Sequence, residues 1–452
     1  MKLAEEAAYA RRCEALQADL RREAPAGTAP LGLSKRTSNL FRDRAEGAKR
    51  RLDLSAFTHV LHVDASAGWV DTEGLVSYEA LVDATLPHGV MPAVVPQLKT
   101  ITAAGAVAGV GIEATSFREG LVHDTLLMFD VLLPDGQVVH CAPDNEHHDL
   151  FFGFPNSYGT LGYALRLRLR TRPVLPFVQV RHRRHGRSAA FFDDLAAQCE
   201  SDADFVDGVV FAPDRLVLSV ARFVPEAAQT SDYGFERIYY RSLLERESDV
   251  LTVRDYLWRW DTDWFWCSKN FGVQHPLVRR LLGRKRLNSR TYQRWMRWNA
   301  RWGFTRQLDR WRRLHAESVI QDVDIPLDRA GEFLDFLLRQ IGIVPVWVCP
   351  IRPAQVGRVF PLYPMRPGVR HVNFGFWDVV RSREPHERGH FNRLLERQVV
   401  ELGGIKSLYS DSTFTRSEFD AAYGGEAYAA LKRRYDPQGR LLGLYEKCVL
   451  RA

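Results

Sequence analysis

The chain has 452 residues, of which 46% are hydrophobic and 26% charged, a composition that excludes intrinsic disorder and a coiled coil and favours two or three domains. The 62 basic residues outnumber the 55 acidic ones for a net charge of +7, and 53 of the basic residues are Arg, which admits nucleic acid, an anionic membrane or a phosphate-bearing small molecule as partner. No apolar run reaches the roughly 18–20 residues needed to cross a bilayer, the N-terminus lacks a signal-peptide core, and Cys13, Cys141, Cys199, Cys267, Cys349 and Cys448 have no zinc spacing, so we expect a cytoplasmic protein with neither metal nor disulfide framework.

Residues 3–22 have helix-forming composition with apolar positions at helical spacing, ended by Pro25 and Pro30. The Gly-, Ser- and Asn-containing stretch 31–44 reads as a loop. Short strands are predicted at 58–63, 69–71 and 74–76, then a helix at 77–86. Residues 100–111 are almost wholly small. The segment 125–133, the turn Pro134-Asp135-Gly136 and the segment 137–141 predict a β-hairpin. Residues 163–171 alternate as a strand. Beyond Pro173, helices predicted at 190–200, 329–340 and 388–402 alternate with strands at 206–212, 215–224, 343–351 and 371–377. The pattern predicts an α+β fold with one domain over 1–173, a second α+β domain over 174–400, and a segment 401–452 that returns to the first.

Gly109-Val110-Gly111-Ile112-Glu113-Ala114 matches the dinucleotide fingerprint G-x-G-x-x-G/A. A Rossmann site requires a hydrophobic strand before it and a helix after it, whereas small residues precede this one and the loop-like TSFREG follows. The residues alone leave two other readings. The run is a tight packing turn, or it is small enough for backbone N–H groups to close on a diphosphate.

Over 96–173 the sequence shows, in order, Thr102 to Gly105, Gly109 to Gly111, Ser116, Gly120, Asp135-Gly136, Asp149-Leu150-Phe151 and Gly159 to Gly162. This series resembles the FAD-binding domain of the vanillyl-alcohol-oxidase-type (PCMH-type) flavoproteins. The resemblance implies a two-subdomain FAD-binding domain plus an α+β substrate (cap) domain built on an antiparallel sheet. It also implies FAD contacts at Lys35, Thr37, Ser38, Asn39, Thr102, Ala104, Gly105, Gly109, Val110, Gly111, Ile112, Ser116, Gly120, Gly159 and Gly162. Members with covalent flavin carry Gly-Gly-His in the first phosphate loop, where this chain has Ser34-Lys35-Arg36-Thr37-Ser38-Asn39. FAD is therefore expected to be held non-covalently.

Further motifs extend the likeness along the chain: Gly111-Ile112-Glu113, His315 with Val319-Ile320-Gln321-Asp322 and Ile325-Pro326, the strand from Pro345 to Pro350, and Leu408-Tyr409-Ser410-Asp411. These resemble the sterol Δ24-reductase branch, which implies reduction of an unactivated lipid C=C bond with NADPH as hydride source. The eukaryotic enzymes of that branch carry an N-terminal membrane segment with no counterpart in this sequence. The chain is in that respect more similar to bacterial reductases of methylene-branched fatty acyl phospholipids, which produce the 10-methyl acyl chain. That likeness implies a phospholipid substrate, a partner methyltransferase, no nucleic acid, and a peripheral location at the inner face of the cell membrane. A sterol or isoprenoid ene-reductase, or an alcohol oxidase using O2, are the alternatives on this fold. Hydride delivery to one alkene carbon requires a proton on the other. The candidate donors are Tyr409, His275, Tyr363 and Glu113.

From 276 to 314 there are 13 basic residues and one acid, Asp309. Trp295, Trp298 and Trp302 recur at helical spacing, with Arg294, Arg297 and Arg301 beside them. Such a helix over 290–313 suits a membrane interface. The same stripe would also serve for packing on the protein's own core, or for a nucleic-acid-binding module.

Overall fold

The computed structural model describes residues 2–22, 30–34, 49–302, 307, 311–355 and 357–451. Lys35, Thr37, Ser38 and Asn39 lie outside the described residues.

The N-terminal helix α1 (Lys2–Arg22) lies against the first sheet, where the Tyr9 hydroxyl donates to Asp130 at 2.9 Å and Arg12 pairs with Glu73. β1 (Leu31–Leu33) and β2 (Arg50–Leu52) form a small parallel pair. Next come β3 (Val60–Asp64), β4 (Trp69–Glu73), α2 (Tyr78–Thr85), β5 (Val90–Pro92), α3 (Ala103–Ala108) and α4 (Ser116–Glu119). β6 (Leu126–Leu132), β7 (Val138–Cys141), α5 (His148–Gly153) and β8 (Tyr163–Pro173) complete this part. Its antiparallel sheet runs β3-β4-β8-β6-β7, with β5 on the far end of β8. The hairpin predicted around Asp135-Gly136 is β6–β7. The strand predicted at 74–76 is instead a turn: Gly74 N donates to Leu165 O, and a β-carbon on Gly74 would lie 2.0 Å from Ala164 O. The small-residue run is not an open nest either. It forms the short helix α3, whose Thr102 Oγ1 accepts from Gly105 N.

The second part contains β9 (Phe177–His185), α6 (Ser188–Cys199), β10 (Phe205–Ala212), β11 (Arg215–Val224), α7 (Tyr239–Glu245), β12 (Ser248–Thr252) and α8 (Val253–Leu257). It continues through α9 (Pro276–Leu282), α10 (Ser289–Trp302), β13 (His315–Pro326), α11 (Ala330–Phe336), β14 (Val346–Ile351), β15 (His371–Ser382), α12 (His390–Glu401) and β16 (Ile405–Lys406). The eight strands form one antiparallel sheet, β12-β9-β11-β10-β14-β15-β13-β16.

Side chains on this sheet alternate between two faces. Val319, Val323 and Ile325 of β13, with Val372, Phe374 and Phe376 of β15, join a core with α6, α11 and α12. The intervening residues, Asp322 and Asp324 on β13 and Asn373, Gly375 and Trp377 on β15, point to the opposite face. Three C-terminal helices, α13 (Arg416–Ala422), α14 (Gly425–Tyr435) and α15 (Leu444–Cys448), reach back to the first sheet's part. Leu431 packs on Gly153, and Lys432 Nζ donates to Thr160 O at 3.0 Å.

The Arg/Trp helix does not present one continuous stripe. Among the described residues α10 ends at Trp302, and Trp295 packs on Phe271 and Tyr292 with centroids 5.6 and 5.8 Å away, while Trp298 is exposed. Trp295 is thus a core-packing residue, and the expectation of a shared exposed face is corrected for it.

Candidate active site

A cavity of about 960 Å³ lies between the first part and the site-facing side of the eight-stranded sheet. One wall is built mostly of small residues. Ala104, Gly105, Gly109, Val110, Gly111 and Ile112 line it together with Thr102, and Gly159 and Gly162 join them from the loop before β8. Lys49, Arg51 and Lys447 also line the cavity, so cationic side chains and accessible backbone meet along it, a donor set suited to a diphosphate. The residues present therefore fit an FAD, whose diphosphate the small-residue wall and these cations would hold.

The cavity lining is strained on both sides. Val110, Tyr158, Trp264 and Phe265 line the cavity with φ of 58°, 51°, 45° and 59°, a left-handed conformation rare for β-branched and bulky residues and one that clusters at functional sites. Gly111 lines the cavity and has a second role beside the predicted one. A β-carbon there would meet Val122 Cγ2 at 2.6 Å and Pro96 Cγ at 3.0 Å, so this glycine also serves packing behind the wall.

The facing wall is aromatic and acidic: Trp264, Phe265, Trp347 and Trp377 surround Asp322, Asp324, Asn373 and Tyr409. Asp322 and Asp324 are two apart on β13 and so share a face. They stand opposite Gly375 and Asn373 of β15. Trp377 Nε1 donates to the Tyr409 hydroxyl at 2.8 Å, and Tyr409 is hydrogen-bonded to Asp322. The other Asp322 oxygen, Oδ1, is buried without a hydrogen-bond partner. Burial pushes the Asp322 carboxyl up to about 7, and the neighbouring Asp324 adds to the rise while the Tyr409 hydrogen bond opposes it. Asp324 is pushed to about 6 by burial, against hydrogen bonds from the Tyr363 hydroxyl at 2.7 Å and Asn373 Nδ2 at 2.8 Å. Burial holds both tyrosines well above their ordinary value. The result is a proton-holding site among aromatic rings, a setting in which a carboxyl near pH 7 can serve as an acid.

Two of the proposed proton donors fall elsewhere. Glu113 sits one layer behind the wall, where Arg259 Nη2 reaches its Oε1 at 3.1 Å and also Asp207 Oδ2 at 2.9 Å. Asp207 in turn accepts from Trp347 Nε1. Burial pushes Glu113 up to about 7 in spite of Arg259, yet its side chain does not line the cavity. His275 is exposed and caps α9 through its Nδ1, which accepts from Leu277 N. Two proposed FAD contacts are also absent from the cavity wall. Ser116 Oγ accepts from Glu113 N at 3.1 Å, and Gly120 turns the chain at φ 82° beside Asp124. Tyr363 does not line the cavity and reaches it through Asp324 and Ser407.

Sequence reasoning did not single out Asp322, Asp324, Asn373 or Trp377 as site residues. The signal was present in QDVDIP: two acids occupy one face of a strand whose other face is Val and Ile, with no basic residue in between.

Residues 23–142 match the FAD binding domain family. With its helices and antiparallel sheets, the chain has an α+β fold carrying a PCMH-type FAD-binding domain, and it is a flavoprotein of the oxidoreductase class. It is 24% identical over 450 residues to a Delta(24)-sterol reductase of Pisum sativum, covering 88% of this chain and 76% of that protein. It is 26% identical over 406 residues to the Delta(24)-sterol reductase of Homo sapiens, covering 86% and 75%. A shorter match, 32% identical over 156 residues, links it to Cytokinin dehydrogenase 7 of Oryza sativa subsp. japonica, covering 33% of this chain and 30% of that one.

Proposed function

We propose that this protein reduces an isolated C=C bond in a lipid, most specifically the methylene-branched acyl chain of a phospholipid, with NADPH as hydride source. The observation that carries the reading is the Asp322–Tyr409–Trp377 set in an aromatic cavity. Bound FAD supplies the hydride; the protein supplies the proton and excludes water. An isolated alkene has no carbonyl to polarise, so hydride and proton must arrive at its two carbons together. The net change is one hydride and one proton added across the double bond.

Asp322 decides where the Tyr409 proton points. With Asp322 protonated, its O–H donates to the Tyr409 oxygen, as Trp377 Nε1 does, and the tyrosine proton is free to face the substrate. Both donors then stabilise the tyrosine oxygen as its proton leaves, and Asp322 supplies the replacement. With Asp322 ionised, the Tyr409 O–H turns to the carboxylate and is withheld. The described cavity wall has neither His nor Cys, the commonest side chains that tether flavin, which supports non-covalent binding.

The Delta(24)-sterol reductase relatives favour a second reading, reduction of a sterol side chain. The basic segment beside the cavity supports a phospholipid-borne substrate instead. The test is anaerobic. NADPH should bleach the flavin, and a methylene-branched phospholipid should restore its colour faster than a Δ24 sterol or O2 does. Tyr409→Phe should slow that reoxidation by roughly 10²–10⁴-fold and leave reduction by NADPH intact. Reoxidation by O2 alone at catalytic rates would establish an oxidase in its place.

A further inference from the structure

The stretch 276–313 carries side chains that the cavity does not use. Eight large hydrophobic residues stand exposed among the described residues, and four of them are here: Leu277, Leu281, Trp298 and Trp311. Leu281 is 83% and Trp311 80% exposed. Leu277 and Leu281 are one turn apart on α9 and form a single aliphatic ridge. Scattered exposed apolar residues need no explanation, but half of the total within one short basic segment does.

The charge around the ridge is one-sided. Arg280, Arg284 and Arg290 pair with Glu236, Asp232 and Glu79. Lys285, Arg286, Arg294, Arg297, Arg312 and Arg313 have no carboxylate partner among the described residues. One of these helices, α10, reaches the edge of the cavity. Gln293 Nε2 of α10 lies 3.4 Å from Thr100 Oγ1, beside Leu98, Ile101 and Thr102 of the cavity wall.

We propose that α9 and α10 form a docking surface for an anionic bilayer, with the leucine ridge entering the acyl boundary and the guanidinium groups resting on lipid phosphates. Aliphatic side chains fringed by unpaired cations match that interface in both polarity and charge. The exposed Trp298 and Trp311 could stack on bases, but the ridge of Leu277 and Leu281 has no use in stacking, which favours lipid over a single-stranded nucleic acid. Docking here sets the cavity beside the leaflet that holds a phospholipid's acyl chains. That purpose rests on the lipid-reductase reading, whereas the binding itself does not.

The test is co-sedimentation of the full-length flavoprotein with vesicles of phosphatidylglycerol and phosphatidylcholine, compared with phosphatidylcholine alone, across ionic strength. Wild type should bind the anionic vesicles and release them as salt rises. Arg294→Gln with Arg297→Gln should weaken binding about thirtyfold at low salt, from roughly 1 kcal/mol per basic side chain, and the deficit should shrink at high salt. Leu277→Ser with Leu281→Ser should weaken it at least roughly tenfold at every salt concentration. Both double variants should keep the bound flavin and a wild-type melting profile, because the replaced side chains lie outside the cavity. Vesicle binding by both variants at the wild-type level would overturn the proposal. So would absence of wild-type binding, equal binding to neutral vesicles, or tighter binding to a labelled oligonucleotide than to the anionic vesicles. If vesicle binding behaves as expected while no lipid alkene reoxidises the flavin, the reductase reading falls and the docking surface stands.

Discussion

Replacing Asp322 by Asn is expected to stabilise the folded protein above neutral pH while slowing lipid reduction. Burial raises the folded-state value from 3.8 to about 7, so the folded protein holds this proton more tightly than the unfolded chain does. Stability therefore falls as pH rises through the window from about 4 to about 7, and the loss is complete above it. Three pH units at 1.36 kcal/mol each make a cost on the order of 4 kcal/mol. Asn is of similar size, cannot ionise, and does not incur it. It still offers the Tyr409 hydroxyl one acceptor, but it brings an amide N–H2 into a site whose Asp322 Oδ1 has no partner. The net gain at pH 8 is accordingly below that ceiling and fades towards pH 4.

Chemistry should move the other way. Asn cannot return a proton to Tyr409, so reoxidation of the pre-reduced enzyme by lipid should slow by roughly 10²–10⁴-fold, the usual worth of a positioned acid. In wild type that rate should decline above about pH 7, because the productive form has Asp322 protonated, and the variant should lack this alkaline limb. Denaturant titrations at pH 5 and pH 8, with stopped-flow reoxidation across the same range, measure both effects. An unchanged stability difference between the two pH values, or an alkaline limb that survives in the variant, would refute the assignment of Asp322.

The remaining predictions address the residues around the pair. Gly375→Ala should slow lipid reoxidation as Tyr409→Phe does while keeping the flavin, because its β-carbon would lie 2.7 Å from Asp322 Oδ1 and 2.6 Å from the Trp377 ring. Arg259→Met should lower stability by about 3–5 kcal/mol in denaturant titrations by leaving Glu113 and Asp207 buried without their cation, whereas Glu113→Gln should leave the reoxidation rate near wild type. Acid precipitation should release all the flavin colour to the supernatant, and colour retained in the pellet would contradict non-covalent binding.

How much of this was legible in the sequence depended on the range of the signal. Local patterns translated well: the alternation in YALRLRLRT became β8, and the Asp135-Gly136 turn became the β6–β7 hairpin. The small-residue run drew attention to the correct wall, but its geometry was misread, since Thr102 caps a helix there and Val110 makes the turn. The acids were missed for a different reason. Asp322 owes its raised value to burial, its hydrogen bond to Tyr409, 87 positions away in sequence, and its place to a register opposite Gly375, none of which periodicity encodes. Glu113 misled in the opposite sense. Its neighbours in sequence suggested a site residue, while Arg259, distant in the chain, draws it into a buried ion pair.

The features that work against stability gather at one place. Four of the seven non-glycine residues with positive φ among the described residues line the cavity. Two of the carboxyls that burial raises furthest, Asp322 and Asp324, line it too, and Asp322 Oδ1 and Asn373 Oδ1 are left there without partners. Each departure costs about 1–3 kcal/mol, and such costs persist where the surroundings over-determine the geometry. Here the other face of the same strands supplies the constraint: Val323, Ile325, Phe374 and Phe376 are locked between α6, α11 and α12. A one-residue slip of β13 would move Asp322 and Asp324 into that core and bring Val323 to the cavity. The packed face thus fixes the register, and the register holds two acids that would otherwise seek water against an apolar, aromatic chamber.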